Sequence, residues 1–427
     1  MRYFLSIRNW NKWIPLVIIS LVCGVKSEAE DPVLESFDTL SGRWIQRKRI
    51  EKTGIHPFAR FTTEFWGDVD GGVKTGYRWN QLLDFGADID LEKLGGWKGA
   101  RIMAQGHWVQ NSRRTGSFSD YTGASIPISG IAAHDHLRVY NLYYRQAWME
   151  DAFVFKIGQI AADEDFMLSE YASLFANSSF GAMPSQVDRP VFPIWPVAAP
   201  GLYLKVQPSK PFFFQAGIYH GDAGQDTDTN HGFDWTEETP VSAAVFCESG
   251  LHYSLRGHAA TTRLGGTYHS GDHTDYALVN AGYPNAVDQG FYSVYAIQDL
   301  ALILKANGST ALGMFWRGGI KPEPNRNLVA GYTDAGLNWF GPLPGRAEDI
   351  AGIGVGITRF GREYCKTTGP AGVATGENTV ELAYKAQITR WLSLQADVQW
   401  LFNPALSPLS GSRETATVIG MRAQLSF

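Results

Sequence analysis

The pattern that recurs along this chain is strict alternation of apolar and polar side chains. Leu392, Leu394, Ala396, Val398 and Trp400 take one side, while Ser393, Gln395, Asp397 and Gln399 take the other. The C-terminus repeats it, with Thr417, Ile419, Met421, Ala423, Leu425 and Phe427 set against Val418, Gly420, Arg422, Gln424 and Ser426. Val380, Leu382, Tyr384, Ala386 and Ile388 oppose Glu381, Ala383, Lys385 and Gln387; Phe85, Ala87, Ile89 and Leu91 oppose Asp84, Gly86, Asp88 and Asp90. Successive side chains of a strand point to opposite faces, so a period of two predicts strands.

Length then separates the environments a strand can occupy. Strands of soluble sheets average about five or six residues, whereas a tilted strand needs about 9–11 to cross hydrocarbon. Several runs here reach the longer figure. Their polar faces carry Asp, Arg, Gln and Lys in mid-strand, which a dry core rejects and a watery lumen accepts. Aromatics near strand ends (Phe65, Trp66, Trp108, Trp148, Trp316, Trp391, Trp400) fit the girdles of a membrane barrel. The fold class predicted is therefore all-β, a transmembrane antiparallel β-barrel. Further strands are read near 56–66, 99–109, 137–149, 152–160, 201–207, 211–219, 241–248, 250–258, 262–269, 291–299, 301–306, 310–318 and 350–360. The total falls in the high teens, and an even number near 16 closes a barrel. Glu150-Asp151 reads as a two-residue turn on the periplasmic side. Polar stretches at 110–136, 221–240, 270–290 and 319–349 read as extracellular loops.

The N-terminus sets the compartment. Arg2, Arg8 and Lys12 precede an apolar run from Ile14 to Val25, too short for a membrane span, and small residues follow at Ser27 and Ala29. Residues 1–29 are read as a secretory signal peptide, 30–55 as an N-terminal periplasmic segment with helical character, and 56–427 as the barrel. The formal net charge is −5, and removing residues 1–29 takes away four basic residues and one acidic, leaving −8. Such a balance argues against a nucleic-acid partner. Cys247 and Cys365 are either one disulfide or two thiols.

Catalytic signatures are weak. No G-x-S-x-G elbow, H-E-x-x-H or P-loop is present, so the chain is not read as an enzyme and no cofactor is implied. Asp163, Glu164 and Asp165 are too generic to mark a glycosidase. The pairs His134/His136 and His269/His273 carry no metal reading, since His residues on a loop usually bind nothing.

Seven blocks in series carry a family likeness. They are Gly71-Gly72 leading to Leu91–Gly99; Lys156-Ile157-Gly158-Gln159 with Asp163-Glu164-Asp165-Phe166 and Phe175–Gly181; Phe315-Trp316-Arg317; Asn325-Arg326-Asn327; Gly345–Asp349 with Gly352–Gly356; Glu381-Leu382-Ala383-Tyr384; and Gln399–Pro404 with Gly420–Phe427. In this order they resemble the carbohydrate-selective porins of the OprB type, departing at Tyr295-Ala296-Ile297-Gln298, where the family more often has Asp before Gln. The resemblance implies a 16-stranded outer-membrane barrel that passes monosaccharides such as glucose passively. It also implies a terminal Phe427 read by barrel assembly machinery, and outer-membrane lipid around the wall. A homo-trimer and a monomer both stay open. The rival readings are a secreted carbohydrate-binding or hydrolytic β protein, and a barrel for another small solute.

A sugar pore needs a wet lumen, a constriction, and groups matched to hydroxyls and to apolar C–H faces. The polar strand faces supply Arg60, Glu64, Asp88, Arg101, Arg145 and Arg317 as sugar-binding candidates. Segment 161–200 carries four prolines between Pro184 and Pro196, which forbid a regular strand. It is expected to fold into the lumen as the constriction, contributing Arg189 and Trp195.

Overall fold

A computed structural model of the chain describes residues 41, 45–112, 117–187, 192–235, 241–367, 374–406 and 414–427. The signal peptide expected at 1–29 and the candidate Arg189 lie outside the described residues. Within them, 16 strands make one closed barrel: β1 (Ile55–Asp70), β2 (Gly76–Asp90), β3 (Ala100–Asn111), β4 (His136–Trp148), β5 (Phe153–Ile160), β6 (Ala199–Ser209), β7 (Phe212–His220), β8 (Ala243–Leu255), β9 (His258–Thr274), β10 (Val287–Leu304), β11 (Thr310–Ile320), β12 (Val329–Phe340), β13 (Ile350–Phe360), β14 (Gly376–Thr389), β15 (Leu392–Phe402) and β16 (Ala416–Ser426). Each strand runs antiparallel to its chain neighbours, and β1 closes on β16 with Arg60 opposite Ser426 and Asp68 opposite Val418. Closure removes the unpaired edge that an open sheet leaves, which is what lets a sheet cross a bilayer.

The alternation sorts the wall as expected. On β16, Ile419 and Met421 are 49% and 60% exposed on the outside, while Val418 is buried inside. On β15, Ser393, Gln395, Asp397 and Gln399 are buried inward and Leu394 is exposed outward. A wall that is apolar outside and polar inside is the inverse of a soluble sheet's economy, and only lipid makes it favourable. Connections are short at one end and long at the other. The short-turn end holds the start of β1 and the end of β16, where the Phe427 N–H donates to the Ala59 carbonyl at 2.8 Å. The turn after β4 bends through Met149, Glu150 and Asp151, all left-handed with φ of 53°, 55° and 67°. Before β1, helix α1 (Ile45–Lys52) is tied to the barrel by Arg47, which donates to the Pro57 carbonyl at 3.1 Å.

Several expectations are corrected. Segments 241–248 and 250–258 are one strand, β8, because Gly250 breaks the pattern by leaving its place on the inner face to the Phe213 ring. Segments 291–299 and 301–306 are likewise one strand, β10, bulged between Ala301 and Ile303. The stretch 319–349 is not a loop: it contains β12, whose alternation is masked by Gly331 and Gly336. Phe315 of β11 lies across Gly336, and a Cβ there would sit 2.4 Å from its ring. Trp66 does not join an interfacial girdle, for it points inward and donates to Glu64 at 2.9 Å. Trp108 is also fully buried, whereas Phe65, Trp148 and Trp316 are exposed. Cys247 of β8 and Cys365 are not joined by a disulfide.

Candidate functional site

Two of the long connections turn into the barrel. The first, expected to do so, is the connection from β5 to β6, described over 161–187 and 192–198. Lys156 of β5 grips its start, with Nζ 2.7 Å from Asp165 Oδ1, and Gln215 donates to the Asp165 carbonyl at 2.6 Å. Phe166, Met167, Met183 and Phe192 then pack on inward Tyr203, Phe246, Tyr295 and Ile297. The loop's backbone is caught by wall carboxylates. Glu248 accepts from Met167 N–H at 3.2 Å, and Glu381 accepts from Ala176 and Asn177 N–H at 2.5 and 3.0 Å. Its carbonyls are met by Asn338 on Tyr171 (2.7 Å), Gln395 on Leu174 (3.1 Å) and Arg317 on Ser179 and Gly181 (3.0 and 2.7 Å). An irregular segment inside a barrel must satisfy its backbone without a ladder, and charged acceptors give the stronger bonds.

The second, from the stretch 110–136 expected at the outer surface, is described over 117–135. It leans inward against the first: Gly130 N–H donates to the Ala176 carbonyl at 2.7 Å and Ser178 N–H to the Pro127 carbonyl at 3.0 Å. Glu377 accepts from Ser125 and Ile126 N–H at 2.8 and 3.1 Å, and Ser129 Oγ donates to Glu64 at 2.5 Å. Between the two loops lies a cavity of about 540 Å³, lined by Ile126, Pro127, Asp163, Phe192, Ile194 and Trp195 among others.

The lumen left open beneath the loops is strongly polar. Register places Lys385, Gln395, Arg422 and Glu64 in one row across β14, β15, β16 and β1. Arg422 Nε donates to Glu64 at 2.6 Å, while Arg60 and Lys385 have no ion-pair partner among the described residues. Arg60, Lys385 and Arg422 line a cavity of about 300 Å³ together with Glu170, Gln395 and Gln424. On the neighbouring strands β2 and β3, Asp84, the register partner of Arg60, accepts from Gln105 at 2.9 Å with His107 at 3.4 Å, and Asp88 pairs with Arg101 at 2.7 Å. Loop acids face this part of the wall. Glu164 is accessible to solvent yet enclosed by the barrel, and this enclosure, with Asp163 and Asp165 beside it, pushes its carboxyl up to about 8. Burial pushes Asp163 up to about 6, against the hydrogen bond it accepts from the Trp195 N–H at 3.1 Å.

The described candidates thus fall into four groups. Arg60, Asp88 and Arg101 line the open lumen. Glu64 and Arg317 face inward but are 1% exposed, and their polar atoms are committed to Arg422, Trp66 and Ser129, and to Asp334 and the loop carbonyls, respectively. Arg145 pairs with Asp151 at the short-turn end, at 2.9 Å. Trp195 stands in the loop with its ring 4.8 Å from His107 and 5.9 Å from Tyr140. Arg422 and Glu170 were not among the candidates. Arg422 had a readable signal, a charge on the polar face of the last strand; Glu170 had none beyond lying in the long loop. His134 lies 3.1 Å from Asp226 and His269 3.0 Å from His273, and no group of three metal-ligating side chains forms among the described residues.

Comparison with known proteins agrees with this architecture. The family model described as carbohydrate-selective porin, OprB family, matches residues 74–427. Porin B of Pseudomonas aeruginosa is 21% identical over 447 aligned positions, covering 96% of this chain and 95% of that protein. The high-pH structure of Pseudomonas putida OprB superposes with a TM-score of 0.79 at 20% identity, covering 91% of this chain and 98% of its own. The low-pH structure of the same protein gives 0.57 at 18% identity, covering 92% and 99%.

Proposed function

The chain belongs to the carbohydrate-selective porin, OprB family, and from that premise we propose that it passes neutral monosaccharides such as glucose down their gradient, with the lumen groups named above as their contacts. It is an outer-membrane β-barrel channel for carbohydrate. The short-turn end is assigned to the periplasm and the long-loop end to the outside, as in bacterial outer-membrane barrels.

A ring of hydroxyls with apolar C–H faces is matched by charged forks and amides on one side and aromatic surface on the other. The observation that carries this reading is the lumen beneath the two loops, lined by Arg60, Asp84, Asp88, Arg101 and Lys385. Trp195, in the cavity above, offers an aromatic edge on the way in. Hydrogen bonds to solvated charges let each sugar exchange protein for water, so binding stays weak enough for release. The two inward loops act as the constriction.

Planar-bilayer conductance tests it. Neutral monosaccharides are expected to block current saturably in the sub-molar range. Arg60→Ala should weaken that block several-fold, whereas Arg47→Ala, in α1 before the barrel, should not. A current indifferent to sugars, or equal effects of both variants, would refute the assignment.

A further inference from the structure

Among the described residues, the lumen cavity of about 300 Å³ holds an imbalance of charge that a neutral sugar does not use. Lys385, Arg422 and Arg60 stand on three strands that close the barrel, β14, β16 and β1, and both arginines act electrostatically on Lys385. Of the three, Arg422 alone has a carboxylate bound, Glu64. Like charges held side by side repel, and an anion seated among them relieves the repulsion. The acids that face the cluster offset part of this, Asp84 acting on Arg60 and Glu381 and Asp397 on Arg422, while only the two arginines act on Lys385. Asp84, opposite Arg60 in the register, is engaged by Gln105 and His107. Glu170, an exposed loop carboxyl raised by burial and then by the neighbouring charge of Asp299, lies in the same cavity, so the three cations there face Glu64 and Glu170 and remain in excess. Asp397 and Glu381, one and two inward positions along β15 and β14 from the row of Gln395 and Lys385, are buried against the wall amides and the loop.

The rest of the lining suits a polyol. Ser173, Ser393, Gln395, Gln424 and Asn338 surround the cations with hydroxyls and amides. The cavity's size sits at the low end of small-molecule pockets. We infer that this cavity is a subsite for the carboxylate of an acidic monosaccharide, an aldonate or uronate, and that the pore favours such solutes over neutral sugars of equal size. Arg60 and Lys385 clamp the carboxylate, and the amides take the hydroxyls. The inference rests on the channel reading above.

The test uses the full-length protein in proteoliposomes. Uptake of labelled glucose is measured against rising unlabelled D-gluconate, D-glucuronate or D-glucose. Gluconate and glucuronate should half-inhibit uptake at a concentration roughly tenfold below glucose, a difference of about 1.4 kcal/mol, and raising the salt should shrink the gap. In the double variant Arg60→Gln, Lys385→Gln the three curves should converge, and Lys385→Gln alone should close part of the gap should the double variant assemble poorly. Equal inhibition by all three solutes in the wild type, or an unchanged ratio in the variants, would overturn the inference while leaving the channel intact. Vesicles that admit no labelled glucose at all would overturn the channel reading and this inference with it.

Discussion

Arg317 of β11 and Asp334 of β12 are register partners whose side chains meet under the inward loop, Nε lying 3.1 Å from each carboxylate oxygen. The remaining guanidinium donors reach the carbonyls of Ser179 and Gly181. One buried fork therefore joins the wall to the constriction. Replacing it with alanine leaves Asp334 charged and unpaired in a dry place, a cost of about 3–5 kcal/mol. Arg317→Ala is expected to give a barrel that still assembles but whose loop between β5 and β6 is cut by protease, with larger, noisier conductance and weak sugar block. Wild-type currents and protease resistance in this variant would show that the pair does not hold the loop.

The raised carboxyl of Glu164 makes a pH prediction. Held near 8, it is largely neutral at pH 7 and gains a negative charge as pH rises to 9. Cation preference, read from the reversal potential in a salt gradient, should rise with a midpoint near 8 and be flat in Glu164→Gln. The same shift has a stability sign. The native chain holds this proton more tightly than the unfolded chain, whose ordinary value is 4.5, so the contribution to folding is present below pH 4.5 and is lost as pH climbs to 8.

Phe427 closes the seam between the last strand and the first through its N–H bond to Ala59. We expect its deletion to leave unassembled, protease-sensitive chain at the membrane. Normal amounts of heat-modifiable barrel would refute a role in assembly.

Cys247 projects from the outer wall of β8, between inward Phe246 and Glu248. In a Cys365→Ala background, a membrane-impermeant charged thiol reagent should leave intact cells unlabelled, while an apolar maleimide labels them. Rapid labelling by the charged reagent would place this wall in water.

The wall was legible because strand geometry is local. Alternation over 380–388, 392–400 and 417–427 assigns each residue's side correctly without knowing the fold. It failed at β12, where Gly331 and Gly336 remove the very side chains that make the pattern, and at β8 and β10, where a glycine and a bulge interrupt one strand. The site was less legible for a different reason. Arg60 and Arg317 have the same signature, a cation on a polar face, yet Arg60 meets open lumen and Arg317 is sealed. What separates them is which arc of the wall the loops cover, a long-range packing choice that no period records. Trp66 shows the same limit, for its inward turn follows from its bond to Glu64 and its fit over Gly420.

The wall holds the inward loops largely by their peptide groups, Glu381 by two N–H groups, Glu377 by two, Arg317 by three carbonyls. Where the held residue also lines the cavity, as Ser125 and Ile126 do, such a clasp is indifferent to the side chain. The bore of the channel and the chemistry of its lining are therefore set by separate parts of the chain, and substitutions at Ser125 or Ile126 can recolour the passage while its gauge stays put.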